Sequence, residues 1–119
     1  MIENSSFVDN VLEQFIGVEG ISTRRMFGGV GIYRYGAMFA IVADGRLYFK
    51  VDEANKPDYQ SAGSVPFIYD RHDKHGNKKL VTMGYYEVPP HVLEDRDSIF
   101  YWMIKAYEAA VHAKQKEAT

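Results

Sequence analysis

The stretch Arg34-Tyr35-Gly36-Ala37-Met38-Phe39-Ala40-Ile41-Val42-Ala43-Asp44-Gly45-Arg46-Leu47-Tyr48-Phe49-Lys50 decides the fold class. Asp44-Gly45 is the strongest hairpin signal in the chain, because a type I′ turn needs positive φ at both central residues. Tyr35-Gly36 reads as a second tight turn. The apolar run Ala37 to Ala43 lies between them as a strand, and Leu47 to Val51 follows as its antiparallel neighbour. In that second strand Leu47, Phe49 and Val51 share one face, and Tyr48 and Lys50 the other. In the run before it, strict alternation puts Phe39 and Ile41 on one face and Met38, Ala40 and Val42 on the other. Both faces are therefore apolar, and the second needs a cover: further helices, or a partner such as a second copy of the chain.

Upstream, Thr23 to Arg34 reads as a third strand, bent or bulged by Gly28-Gly29-Val30-Gly31. Before it, Phe7, Val8, Val11, Leu12, Phe15 and Ile16 recur at helical spacing, and Gly17 and Gly20 end that helix. Downstream, 52–63 holds a short helix closed by Gly63, and Pro66 opens a strand. The polar segment from Asp70 to Lys79 is a hairpin loop. Leu80 to Val88 returns, and Pro89-Pro90 ends it. The last helix runs from about Asp95 to Lys114, with Ile99, Phe100, Met103, Ile104, Tyr107 and Val111 as its buried stripe. The expected fold is thus α+β, a single domain over residues 1–119: a five-stranded antiparallel sheet with flanking helices, in the order α-β-β-β-α-β-β-α.

Composition limits the chemistry. There is no cysteine among the 119 residues, so thiolate chemistry and disulfides are excluded. The longest apolar run is far short of the roughly 20 residues of a membrane span. Met1-Ile2-Glu3-Asn4 has no basic region leading into an apolar block, so a cytoplasmic location is expected. The net charge of −2 argues against bulk nucleic-acid binding. The charges are nonetheless uneven: between Gly20 and Lys50, Arg24, Arg25, Arg34, Arg46 and Lys50 face only Asp44.

The local motifs favour structure over catalysis. Gly28-Gly29-Val30-Gly31 leads into a strand, not into a helix N-terminus that could face a phosphate. Of Arg24 and Arg25 just before it, one should point outward and the other toward the helices. Asp70-Arg71-His72-Asp73-Lys74-His75 has metal-ligating residue types, but Arg71 and Lys74 would repel a cation. No nucleophile elbow, zinc-binding helix or Rossmann crevice is present. His91 and His112 stand alone in the sequence.

One combination is specific. Arg24-Arg25-Met26-Phe27-Gly28-Gly29-Val30-Gly31-Ile32-Tyr33 is followed by Gly36-Ala37-Met38-Phe39-Ala40, Leu47-Tyr48-Phe49-Lys50-Val51-Asp52, Pro66-Phe67-x-Tyr69, Met83-Gly84-Tyr85-Tyr86-Glu87-Val88-Pro89 and a helix with Trp102 and Ala106. This pattern resembles the N-terminal domain of the TfoX/Sxy family of competence regulators, over roughly residues 5 to 112. The resemblance implies a secretion-chaperone-like α+β fold with no catalytic site, metal or cofactor. It also implies a role in transcription of competence genes alongside the cyclic-AMP receptor protein. Two-domain relatives carry a further helical domain, so this chain is either a stand-alone member or an excised domain.

The resulting expectation is a non-enzymatic interaction module. Its protein partner would be the transcription machinery or the cyclic-AMP receptor protein, with a homodimer as a further option and no membrane contact. Arg24, Arg25, Phe27, Gly28, Gly29, Tyr48 and Lys50 are the candidate partner-binding residues. Two alternatives stand beside it. One is direct nucleic-acid binding through Arg24, Arg25, Arg34, Arg46, Lys50 and the Lys78-Lys79 end of the hairpin. The other is a small-molecule pocket near Tyr33, Tyr48 and Tyr69. Of Tyr85 and Tyr86, one should join Tyr33 and Tyr48 on the face away from Leu47 and Phe49.

Overall fold

The computed structural model describes residues 5–26, 28–72, 74–76 and 78–118. In chain order they form α1 (Ser5–Glu13), β1 (Ile21–Met26), β2 (Gly29–Arg34), β3 (Ala37–Ala43), β4 (Arg46–Lys50), α2 (Lys56–Ser61), β5 (Pro66–His72), β6 (Lys78–Glu87), α3 (Pro90–Leu93) and α4 (Arg96–Ala118). All strands join one six-stranded antiparallel sheet in the order β1-β2-β3-β4-β6-β5. The architecture is the expected α+β sheet with flanking helices, with one strand more than the sequence reading counted. No helix of the described residues is long and apolar enough to cross a membrane.

The extra strand comes from the glycine run. Thr23 to Arg34 is not one bent strand but the hairpin β1–β2, in which Met26 pairs with Gly29. Gly28 has φ +74°, a left-handed conformation that reverses the chain instead of kinking it. Gly29 answers a different need, since a Cβ there would collide with the Val42 carbonyl oxygen. The two turns read from sequence are as expected. Tyr35 and Gly36 have φ of 50° and 80°, and Asp44 and Gly45 have 53° and 69°. Four consecutive strands thus form a meander, and β6 then docks on β4 with β5 outside it. Only 85–87 of β6 pair with β4, so the ladder of 68–72 with 78–82 runs on past the end of β4.

Register corrects a second expectation. Ile32 pairs with Ala40, but the next residue, Tyr33, pairs with Met38, so Phe39 is the extra residue of a β-bulge. The bulge flips the alternation, and Phe39 and Ile41 end up on opposite faces. Phe39 joins Phe15 and Phe49 in the helix-side core, at ring distances of 5.7 and 6.1 Å. Ile41 belongs to a separate cluster on the other face, with Phe67 and Tyr85.

The helices bury the first face. In α4, Ile99, Met103, Ala106 and Ala110 are buried, and the helix packs chiefly on β3, and also on α3 and β4. The buried stripe therefore takes in the small Ala106 and Ala110 and departs from the one read by spacing: Phe100 is 44% exposed. Ile16 likewise is exposed, because α1 ends at Glu13 and the chain turns before it. Asp95 caps α4 through Ser98, whose N–H and hydroxyl both donate to its carboxylate, at 3.1 and 2.5 Å. Gly63, at φ +73°, closes α2 as expected. Tyr59 of α2 stacks edge-on against Trp102 of α4 at 4.7 Å. Pro90 does more than end β6, since it opens the one-turn helix α3.

Candidate interaction surface

The sheet face away from the helices is built from residues in register. Arg24 pairs with Gly31, Gly31 with Ile41, Ile41 with Tyr48, and Tyr48 with Glu87, giving one row across five strands. Beside it lie Tyr33, Met38, Lys50 and Tyr85. Of the two adjacent tyrosines, Tyr85 faces this side and Tyr86 packs with the helix-side core, as the alternation from Leu47 requires.

This face seals itself in part. Ile41 is 1% exposed, and among the described residues its cluster contains no helix residue: Met38, Ala43 and Tyr48 close around Ile41, Phe67 and Tyr85. Tyr48 meets Phe67 edge-on at 5.0 Å. Partial burial raises the Tyr48 pKa above the ordinary tyrosine value, with the nearby Glu87 carboxylate adding to the shift. The Lys50 ammonium lies 4.9 Å over the Tyr85 ring, and the Arg24 guanidinium 5.8 Å from the centre of Tyr33. Gly31 leaves a gap that methionines fill: a Cβ there would stand 2.7 Å from the Met38 sulfur and 3.0 Å from that of Met26. Long flexible side chains thus cover the apolar centre of this face.

The candidate basic residues do not form one patch. Arg24 and Lys50 belong to the open face. Arg25 pairs with Val30 of the helix-side core and lies on that side, where it is exposed. Arg34 is drawn to the helix side too, over Tyr107 at 5.0 Å, and its Nε donates to the Glu19 carbonyl. Arg46 is ion-paired with Glu87 at 3.3 Å. Among the tyrosines, Tyr33 lines a concavity of about 420 Å³ with Lys50, Tyr85 and Lys114, whereas Tyr48 packs on Phe67 instead. The expected pocket of Tyr33, Tyr48 and Tyr69 is thus not assembled from its first two members. Gly28 and Gly29 are turn and packing residues. Phe27 and the side chains of Tyr69, Lys78, Lys79 and 70–73 lie outside the described residues. No group of three His, Asp or Glu side chains among the described residues could hold a metal.

Two features escaped the sequence reading. Ile16, Phe100 and Tyr101, all exposed, line one shallow concavity between the end of α1 and the start of α4. Ile16 and Phe100 were hidden because helical spacing assigned them to the core. His112, solitary in sequence, has its Nδ1 3.5 Å from the Asp52 carboxylate, a contact between α4 and the loop after β4.

The profile of the TfoX N-terminal domain matches residues 13–110, from the last residue of α1 through most of α4. The chain belongs to the TfoX N-terminal domain family. The family match takes in every strand of the sheet, the Arg24–Gly31 segment and the open face. A similar curated protein is the DNA transformation protein TfoX1 of Aliivibrio fischeri, 36% identical over 66 residues. That alignment takes in 55% of this chain and 29% of the relative's length. In this chain the matched region thus holds a sheet with one helix-covered face and one face whose apolar centre is partly sealed by sheet side chains.

Proposed function

We propose that this TfoX N-terminal domain is a non-enzymatic regulatory module of DNA transformation, acting on competence-gene transcription through protein partners. The observation that carries the reading is the family membership together with the relative's name, a DNA transformation protein. The geometry supports contact rather than chemistry. On the open face Arg24 and Lys50 lie against the rings of Tyr33 and Tyr85, and Arg46 pairs with Glu87. The scatter of Arg24, Arg25, Arg34, Arg46 and Lys50 over two faces favours protein contact over direct nucleic-acid binding, which needs a continuous basic track.

Deletion of the gene in its host tests this reading. Transformant counts and competence-gene transcripts should fall together and return with the wild-type chain. Affinity capture of the tagged chain should recover RNA polymerase or the cyclic-AMP receptor protein. Unchanged transcripts in the deletion strain would sink the proposal.

A further inference from the structure

β1 closes one side of the sheet, and no strand lies beyond it among the described residues. Its middle residues Ser22, Thr23, Arg24 and Arg25 are all exposed, on both faces, because the helix layer is centred on β3 and β4. In an antiparallel strand alternate residues turn their N–H and C=O away from the paired neighbour. The outer side of β1 therefore offers a row of backbone groups to an added strand.

Charge selects the occupant. Arg24 and Arg25 stand at the centre of this edge and straddle it, Arg24 on the open face beside Tyr33 and Arg25 on the helix side. A second copy pairing its own β1 here would crowd four guanidiniums into one short ladder, and like charges across a ladder are destabilising. An extended acidic segment meets the opposite situation. Consecutive residues of a strand point to opposite faces, so two adjacent carboxylates would reach the two arginines, one on each side. The same pair of charges that guards the edge against self-association thus selects an acidic strand.

We propose that the outer edge of β1 is a strand-addition site for an extended segment of a protein partner carrying adjacent acidic residues. Backbone hydrogen bonds would supply affinity, and Arg24 and Arg25 the selectivity. The inference rests on the reading of the chain as a module that works through protein partners, and it names where and by what chemistry one of them binds.

The probe is a capped synthetic peptide of Val and Thr flanking a central Glu-Glu pair, followed by fluorescence anisotropy and by amide hydrogen exchange on the whole chain. It should bind and slow exchange within residues 21–26. A Lys-Lys version, a version N-methylated at alternate backbone nitrogens, and the Arg24→Glu/Arg25→Glu chain should each weaken binding by about tenfold or more. The N-methylated control leaves the protein untouched, so it separates lost pairing from lost folding. Failure of the Glu-Glu peptide to bind, equal binding of its N-methylated form, or protection outside β1 would overturn the site. Tighter binding of a random-sequence DNA duplex that displaces the peptide would also overturn it. A charge-reversed chain that fails to bind peptide yet restores transformation overturns the edge site and leaves the regulatory reading standing, whereas unchanged transcripts on gene deletion overturn that reading.

Discussion

The Tyr85 hydroxyl donates a 2.8 Å hydrogen bond to the Met38 carbonyl. Tyr85 lies on β6 and Met38 on β3, with β4 between them, so this side chain bridges three adjacent strands on the open face. Tyr85 is 4% exposed and sits beside Ile41 and Phe67. The bond thus couples the late-sequence hairpin to the early meander.

Tyr85→Phe keeps the ring and removes that bond. Stability should fall by about 1 kcal/mol, because the Met38 carbonyl is left in a partly buried setting. Urea unfolding of the variant should show a lower midpoint with an unchanged slope. An unchanged midpoint would mean that the bridge contributes nothing.

Tyr59→Phe should behave in the opposite sense. Tyr59 is 1% exposed, and its hydroxyl has no hydrogen-bond partner among the described residues. Removing a buried unsatisfied hydroxyl should leave stability unchanged or raise it by up to about 1 kcal/mol. Burial, then the Asp58 carboxylate, raises the Tyr59 pKa well above its ordinary value. The unfolded chain therefore releases this proton first, and stability should decline as pH rises past about 10. Thermal melts between neutral pH and pH 11 should show that decline, shallower in Tyr59→Phe. Tyr48, whose pKa is raised in the same direction, leaves a residual slope.

The glycines of β2 should rank by what surrounds them. At Gly29 an added methyl meets the Val42 carbonyl of the backbone, which cannot move without disturbing the β2–β3 ladder. At Gly31 it meets the ends of Met38 and Met26, which can swing aside. Gly29→Ala should cost about 1–3 kcal/mol and Gly31→Ala less than about 1 kcal/mol. Chemical denaturation of both variants checks the order, and a reversed order would contradict the packing described.

Neighbours on α4 should differ sharply. Ile99 is fully buried and Phe100 is 44% exposed. Ile99→Ala should cost about 2–5 kcal/mol, while Phe100→Ala should cost well under 2 kcal/mol. Thermal melts of the pair test the placement of the helix stripe, and equal losses would restore the stripe read from spacing.

Much of the architecture was legible in local signals. Asp44-Gly45 and Tyr35-Gly36 marked the turns of the meander, and the alternation through Leu47, Tyr48, Phe49 and Lys50 assigned their faces correctly. The failures share a cause. Gly28-Gly29 reads as a bend because one glycine run can either kink a strand or reverse it, and only the pairing of Arg25 with Val30 decides between them. Phe100 and Ile16 fit helical spacing, yet the core needed the small Ala106 and Ala110 facing the sheet, and α1 stopped before Ile16. The candidate surface was legible in residue type and not in grouping. Arg24, Tyr48 and Lys50 do share a face, but Arg25 and Arg34 lie on the other.

What residues close in the chain settle is most of the elements, the turns at Tyr35-Gly36 and Asp44-Gly45 and the apolar character of both faces, because turn geometry and strand alternation act over a few residues. What waited for the folded chain is the order β4-β6-β5, the bulge that separates Phe39 from Ile41, and the exposed edge that Arg24 and Arg25 straddle. These depend on which distant segments pair and in what register. Register is a collective outcome of packing one whole face, and no short window of sequence carries it.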